Sequence, residues 1–92
     1  MKVHELKCWP PFFRALRRGE KTFEIRANDR DYHAGDVLHL REYAHSPSEG
    51  YTGAAMWFTA TFLFDHLPGL RYGYVAMSVK RIRKPKKAEE KR

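Results

Sequence analysis

From Ala54 to Phe64 the chain alternates without a break. Met56, Phe58, Ala60, Phe62 and Phe64 fall on one side of an extended backbone, and Trp57, Thr59, Thr61 and Leu63 on the other. A period of two sustained over that length specifies a half-buried antiparallel strand rather than a helix. A strand with one apolar face commits the chain to a sheet, because that face has to be covered. Turn signals flank it, His45-Ser46-Pro47-Ser48-Glu49-Gly50 before and Pro68-Gly69 after. Val37 to Tyr43 reads as the preceding strand, entered from the turn His33-Ala34-Gly35-Asp36. Tyr74 to about Ile82 reads as the last, with Val75, Met77 and Val79 inward.

The N-terminal part supplies two more strands and the one helix. Val3 to Lys7 is extended, and Pro10-Pro11 then opens a helix, since proline suits the first helical position and no deeper one. Phe12, Ala15 and Leu16 share a helical face by their i, i+3, i+4 spacing, and Gly19 ends the helix as a left-handed cap. Residues 22–26 form the next strand, with Phe23 and Ile25 on one face and Thr22, Glu24 and Arg26 on the other, the side that need not be core. Phe12, Phe58 and Phe62 are expected in the core. The order is β, α, β, β, β, β, and one short helix cannot cover that many strands. The expected fold is therefore α+β and mainly β: a curled sheet or small open barrel with the helix packed on its side.

Ninety-two residues make one domain with a modest core, in which the aromatics carry much of the burial. No apolar run reaches the roughly 20 residues of a membrane span, and the N-terminus carries no apolar signal segment. A single cysteine makes no internal disulfide, which points to a reducing, cytoplasmic setting. The net charge of +7 is uneven: residues 80–92 hold eight Lys/Arg and two Glu, whereas the rest holds ten basic and nine acidic groups. Domain and tail are accordingly divided at 1–80 and 81–92. The tail fits two descriptions, a grip on nucleic-acid phosphates or a solvated, disordered end.

Chemistry-bearing residues concentrate in Gly19-Glu20-Lys21-Thr22-Phe23-Glu24-Ile25-Arg26. Lys21 sits at the turn that feeds the strand, and Glu24 and Arg26 share a strand face, so an amine, a carboxylate and a guanidinium gather in one place. Arg26 offers a planar fork for a phosphate or carboxylate. Glu24 can orient that fork or accept from the exocyclic amine of a base, and Lys21 can neutralise a phosphate or, if desolvated, act as a general base. The structural alternative is an ion-pair ladder on a solvated face. Trp9, Phe12, Tyr43, Trp57 and Tyr74 are candidates for stacking bases, with Trp9 at a cleft rim and Trp57 as an exposed platform. Arg14, Arg17 and Arg18 form a stripe that suits either phosphate tracking or relief of the helix dipole. The histidines show no ligand spacing and Cys8 has no activating neighbour, so neither a metal, a cofactor nor a thiol nucleophile is expected.

These residues together resemble the ASCH domain of the PUA-like superfamily, and in particular a group of short bacterial and phage ASCH-like proteins of unassigned function. The resemblance rests on Gly19-x-Lys21-x-x-Glu24-x-Arg26, on Gly35-Asp36-Val37 leading to Arg41-Glu42-Tyr43, and on Gly73-Tyr74. It also rests on His4-Glu5-Leu6-Lys7 and on Asn28-Asp29-Arg30, and it covers residues 3 to about 80. It implies a barrel of five or six strands with a cleft between barrel and helix that holds RNA or a nucleotide-like ligand. It also places the Asn28-Asp29-Arg30 loop beside Lys21, Glu24 and Arg26, and the expected site adds Lys7 around them with Trp9, Arg17 and Tyr74 as further contacts. One small branch of the family hydrolyses N4-acetylcytidine with a lysine, a threonine three residues later and a glutamate from a later strand. Here Lys21 matches the lysine, Glu24 stands where the threonine is expected, and no glutamate follows Glu49 until the tail. The expected function is recognition of an unstacked base and its phosphate. A hydrolase of a modified nucleoside or of RNA, with Lys21 and Glu24 catalytic, is the alternative, and a protein-binding adaptor the third reading.

Overall fold

The computed structural model describes residues 1–46 and 48–86. Its elements in chain order are β1 (Val3–Cys8), α1 (Pro10–Arg17), β2 (Phe23–Ala27), β3 (Val37–Ala44), β4 (Gly50–Phe64) and β5 (Tyr74–Ile82). The strands join in one sheet of order β1-β3-β4-β5-β2, curled into a half-barrel. β1 lies parallel to β3, while β3–β4, β4–β5 and β5–β2 are antiparallel. The mainly β class and the single short helix are as the sequence implies. β5 runs to Ile82, two residues beyond the expected domain boundary, and the tail from Lys87 onward lies outside the described residues. Among the described residues no helix is long and apolar enough to cross a membrane.

Pro10 starts α1, Trp9 accepts the first backbone bond from Phe13 at 2.8 Å, and Phe13 and Leu16 are the buried pair. Gly19 takes φ +78°, a conformation that favours glycine, and the chain reverses there. The amides of Glu20 and Lys21 both donate to Ala15 O, at 2.9 and 3.1 Å. This reversal delivers Lys21 to the head of β2. The core behind the helix is built from Leu6, Leu38, Leu40, Met56, Phe58, Val75, Met77 and Val79. Burying each such side chain contributes about 1.5–3 kcal/mol.

The half-barrel leaves β1 and β2 as facing edges, and two arginines bridge them. Arg26 Nη2 donates to Lys7 O at 2.9 Å and Arg30 Nη1 to Glu5 O at 3.2 Å, so β1 carbonyls that lack a neighbouring strand bond guanidinium groups instead. Further along, the connection from β2 to β3 packs Tyr32 against His4 (ring centroids 4.6 Å apart). It ends at Asp36, whose buried carboxylate accepts from Lys2 N at 3.0 Å, His33 N at 2.9 Å and His4 Nε2 at 2.9 Å. Burial works to raise the Asp36 pKa, but the bonds from His4, Lys2 and His33 outweigh it and hold the carboxyl below its ordinary value.

Four expectations about faces are corrected. Phe12 is 48% exposed while its neighbour Phe13 is 1% exposed, because the buried stripe of α1 runs through Phe13 and Leu16 rather than through Phe12 and Ala15. In β2 the faces are reversed: Glu24 is buried, and Phe23 and Ile25 are exposed. The carboxylate goes inside because two cations meet it there, as described below. In β4 the register shifts between Ala60 and Phe62, so Phe62 (63% exposed) and Phe64 turn outward and Leu63 packs on the core. Finally, Trp57 is half-buried rather than fully exposed, and one face of its ring is taken. His39 lies flat against it, centroids 3.8 Å apart and planes 4° from parallel.

Candidate functional site

Glu24 sits on β2 with its side chain turned into the gap between the facing edges, and it is 4% exposed. Lys21 Nζ contacts Glu24 Oε1 directly, and Arg26 Nε donates to Oε2 at 2.8 Å. Two cations thus hold one buried carboxylate, and no buried side-chain polar atom among the described residues lacks a partner. The Gly19 reversal places Lys21 three residues before Glu24, while strand alternation places Arg26 on the same face two residues after it. Lys21 Nζ also donates to Phe23 O at 2.6 Å and lies 4.9 Å from the Phe23 ring centroid and 5.6 Å from that of Phe12. Its ammonium is held by an acceptor on each side and by two aromatic faces. Arg26 spends Nε on Glu24 and Nη2 on Glu24 and Lys7 O, leaving Nη1 without a hydrogen bond among the described residues.

This triad forms the floor of a cavity of about 900 Å³ between α1, the end of β1 and the outer edge of β2. Trp9 and Phe12 line one wall, meeting edge to face at 5.5 Å, while Phe23, Ile25, Ala27 and Tyr74 line the other. Lys7, Glu20 and His45 complete the rim. Such a volume fits an ordinary small-molecule or nucleotide site, in which apolar walls surround a few convergent polar groups. The floor carries two positive charges against one negative, so the cavity favours an anion or an electron-rich ring edge.

Cys8 also faces this cavity. Burial, and after it the nearby Glu24 carboxylate, push its thiol up to about 11 against the opposing effect of Arg26 and Lys21. It stays protonated near neutral pH and is a poor nucleophile there. Among the described residues no group of three or more His, Cys, Asp or Glu side chains is arranged to hold a metal ion.

Six residues singled out from sequence come together at the cavity: Lys7, Trp9, Lys21, Glu24, Arg26 and Tyr74. Asp29 and Arg30 line a separate recess of about 130 Å³ on the other side of Arg26, with Leu6, Ala27 and Tyr32. Asn28 continues the β2–β5 ladder through its amide, bonded to Gly73 O at 2.8 Å. Arg17 is exposed on α1, 5.6 Å from the Phe13 ring centroid, and does not line the cavity. Phe12, a stacking candidate that was also expected in the core, lines it as well, and Phe23, Ile25 and His45 line it unannounced by the sequence. A signal for the first existed in the Phe12-Phe13 pair, since only one of two adjacent aromatics can sit at the centre of the buried stripe of so short a helix. His45, from the β3–β4 turn, left none.

Comparison with known proteins places this geometry in a family. Over 66 residues the chain is 35% identical to the "Uncharacterized 12.9 kDa protein in GpA 3'region" of Escherichia phage P2, a stretch covering 72% of this chain and 61% of that relative's length. Residues 3–79, from the start of β1 to within β5, match the family model described as "Domain of unknown function (DUF3850)". The chain belongs to the DUF3850 family.

Proposed function

We propose that the cleft binds RNA or a nucleotide by taking in an unstacked base together with its phosphate. The observation that carries this reading is the Lys21–Glu24–Arg26 triad opening into an aromatic-walled cavity. An ion triad that served the fold alone would need no ligand-sized space above it. In this reading the base enters between the Trp9–Phe12 wall and Tyr74, where stacking is worth roughly 1–3 kcal/mol per base. Lys21 and the uncommitted Nη1 of Arg26 attract the phosphate, and Glu24 fixes both cations in place. Lys7 at the rim adds charge, and the basic residues after β5 contribute sequence-independent attraction to the backbone. We further propose that the half-barrel is of the ASCH type within the PUA-like superfamily, on the motif likeness given above, and that the protein works in the reducing cytoplasm.

The test is a fluorescence anisotropy titration of labelled single-stranded RNA at two salt concentrations, with the full chain and with a 1–82 chain, which ends with β5 and drops six of the eight cations of residues 80–92. Retained affinity with a shallow salt slope in the shorter chain supports recognition by the cleft. Affinity that disappears with residues 83–92 reduces the interaction to polyelectrolyte attraction and refutes it.

A second reading, hydrolysis of a modified nucleoside or of RNA, draws on one feature: the direct contact of Lys21 and Glu24 at the cavity floor, a pair able to pass a proton between them. Incubation with N4-acetylcytidine or RNA across pH 6–9, followed by chromatography, decides it. Turnover abolished in Lys21→Ala supports catalysis, and no turnover at any pH removes it.

A further inference from the structure

The convex face of β1, β3 and β4 carries a run of cations and rings that starts at the cleft rim with Lys7 and His45 and continues beyond it. Strand register places Glu5, His39 and Trp57 in one row and Lys7, Arg41 and Ala55 in the next. Tyr43 and Tyr51 pair beyond the bulge that follows Arg41. Paired residues share a face of the sheet, so these side chains stand together on the outside of the half-barrel. Their contacts are continuous. Arg41 lies over the Tyr51 ring at 3.9 Å, Lys7 over Tyr43 at 4.4 Å, and Tyr43 meets Tyr51 at 4.9 Å. At one end His45 lies 5.4 Å from Tyr43 and 6.1 Å from Trp9, and thus joins the run to the cavity rim. At the other end Trp57 stacks on His39 and meets Lys84 at 6.0 Å, where the basic C-terminal stretch begins.

We propose that this face is a track for single-stranded nucleic acid, which leads the strand flanking a cleft-bound nucleotide from Trp9 across Tyr43 and Tyr51 to Trp57. The proposal rests on the cleft reading above and adds to it the path of the flanking strand. Three arguments fix the occupant. The cations are already stacked on rings, so charge and stacking surface are presented together at short spacing, as a polyanion with planar bases requires. The run is continuous with the cavity at one end and with the basic stretch at the other. It also spans four residues of β3, about 13 Å, enough for more than one nucleotide. Glu5 is the opposing group: it accepts from Arg41 Nη1 at 3.0 Å and lies 3.8 Å from His39 Nδ1, so it attenuates the track without being part of the cleft.

The experiment compares full-length wild type with Trp57→Ala, Arg41→Ala and Glu5→Gln, using the four ribonucleoside monophosphates and a labelled oligouridylate dodecamer as probes. The track predicts unchanged mononucleotide affinity in all three variants. For the dodecamer it predicts binding about 5- to 150-fold weaker in Trp57→Ala, the loss of one stacking platform. Arg41→Ala weakens it with a shallower salt dependence, and Glu5→Gln tightens it. Glu5→Gln alters an exposed side chain and reports even if Trp57→Ala destabilises the domain. Equal dodecamer affinity in wild type, Arg41→Ala and Glu5→Gln overturns the track and leaves the cleft reading standing. A dodecamer bound through these residues with no mononucleotide bound supports the track and refutes the cleft. Binding of neither probe refutes both.

Discussion

Replacing Glu24 by glutamine keeps the shape of the side chain and removes its charge, which makes it a stringent test of the triad. The carboxylate accepts from Lys21 on one oxygen and from Arg26 on the other. An amide has only one acceptor oxygen, so one cation then faces an NH₂ donor at hydrogen-bond distance. Removing one partner of a fully buried pair costs about 3–5 kcal/mol. Here the side chains of Lys21 and Arg26 are 15% and 22% exposed and recover part of their hydration, which lowers the expected loss to about 2–3 kcal/mol. For a domain of this size that lowers Tm by about 8–24 °C. Urea denaturation followed by tryptophan fluorescence measures it as a lower midpoint at unchanged slope. Glu20→Gln is the control, since Glu20 pairs with Arg18 on the solvated surface and its loss should leave the midpoint nearly unchanged. A double-mutant cycle with Lys21→Met should return a coupling of about 0.5–3 kcal/mol. A Glu24→Gln cost indistinguishable from that of Glu20→Gln would refute the description of the triad as a buried, mutually dependent unit.

Three other outcomes follow from the structure. Phe13→Ala should cost about 3–5 kcal/mol and Phe62→Ser no more than about 0.5 kcal/mol, and equal losses in thermal melts would contradict the β4 register shift. Cys8, with its thiol raised to about 11, should resist iodoacetamide at pH 8 in the native protein and react once urea unfolds it. Rapid alkylation of folded protein, followed by mass spectrometry, contradicts that placement. Asp36, held below its ordinary pKa, stabilises the fold above the unfolded carboxyl value near 4 and loses that contribution as pH falls through its folded value. Wild type and Asp36→Asn should therefore differ in stability at pH 7 and converge toward pH 2, and a constant difference across that range rules the linkage out.

How far the fold could be read in advance follows from where the alternation is clean. β3, β4 and β5 announce themselves because each carries a period of two between turn signals, and Val75, Met77 and Val79 are inward as that period requires. The same period misled beyond Ala60: a single extra residue at the shift inverts every later side chain, and nothing in Thr61-Phe62-Leu63-Phe64 marks it. β2 misled for a different reason. Hydrophobic patterning assigns Phe23 and Ile25 inward, but the strand is an edge whose inner face meets the cleft, and a carboxylate satisfied by two cations takes that place. Parallel pairing of β1 with β3 depends on contacts far apart in sequence and has no local signature.

The floor of the cavity was legible because Lys21, Glu24 and Arg26 lie within one turn and one strand, where spacing decides which side chains meet. Its walls were legible only in part, through Trp9 and Tyr74. Phe12, Phe23, Ile25 and His45 come from three segments brought together only by the curl of the sheet and the seating of α1. Arg26 offers a fork to a ligand, yet it also closes the gap to β1 through Lys7 O. That double use explains why one residue type suffices there: a lysine would supply charge to the floor but could not bond Glu24 and the β1 edge in the same plane.

The most direct measurement of the central claim is a ¹H–¹⁵N NMR titration of the full chain with each of the four ribonucleoside monophosphates. Occupation of the cleft predicts shifts at Lys7, Cys8 and Trp9, including the Trp9 indole, along Lys21 to Ala27, and at Tyr74, with the rest of the sheet unmoved. Shifts confined to the basic residues from Lys80 onward, or none with any of the four at millimolar concentration, would contradict it.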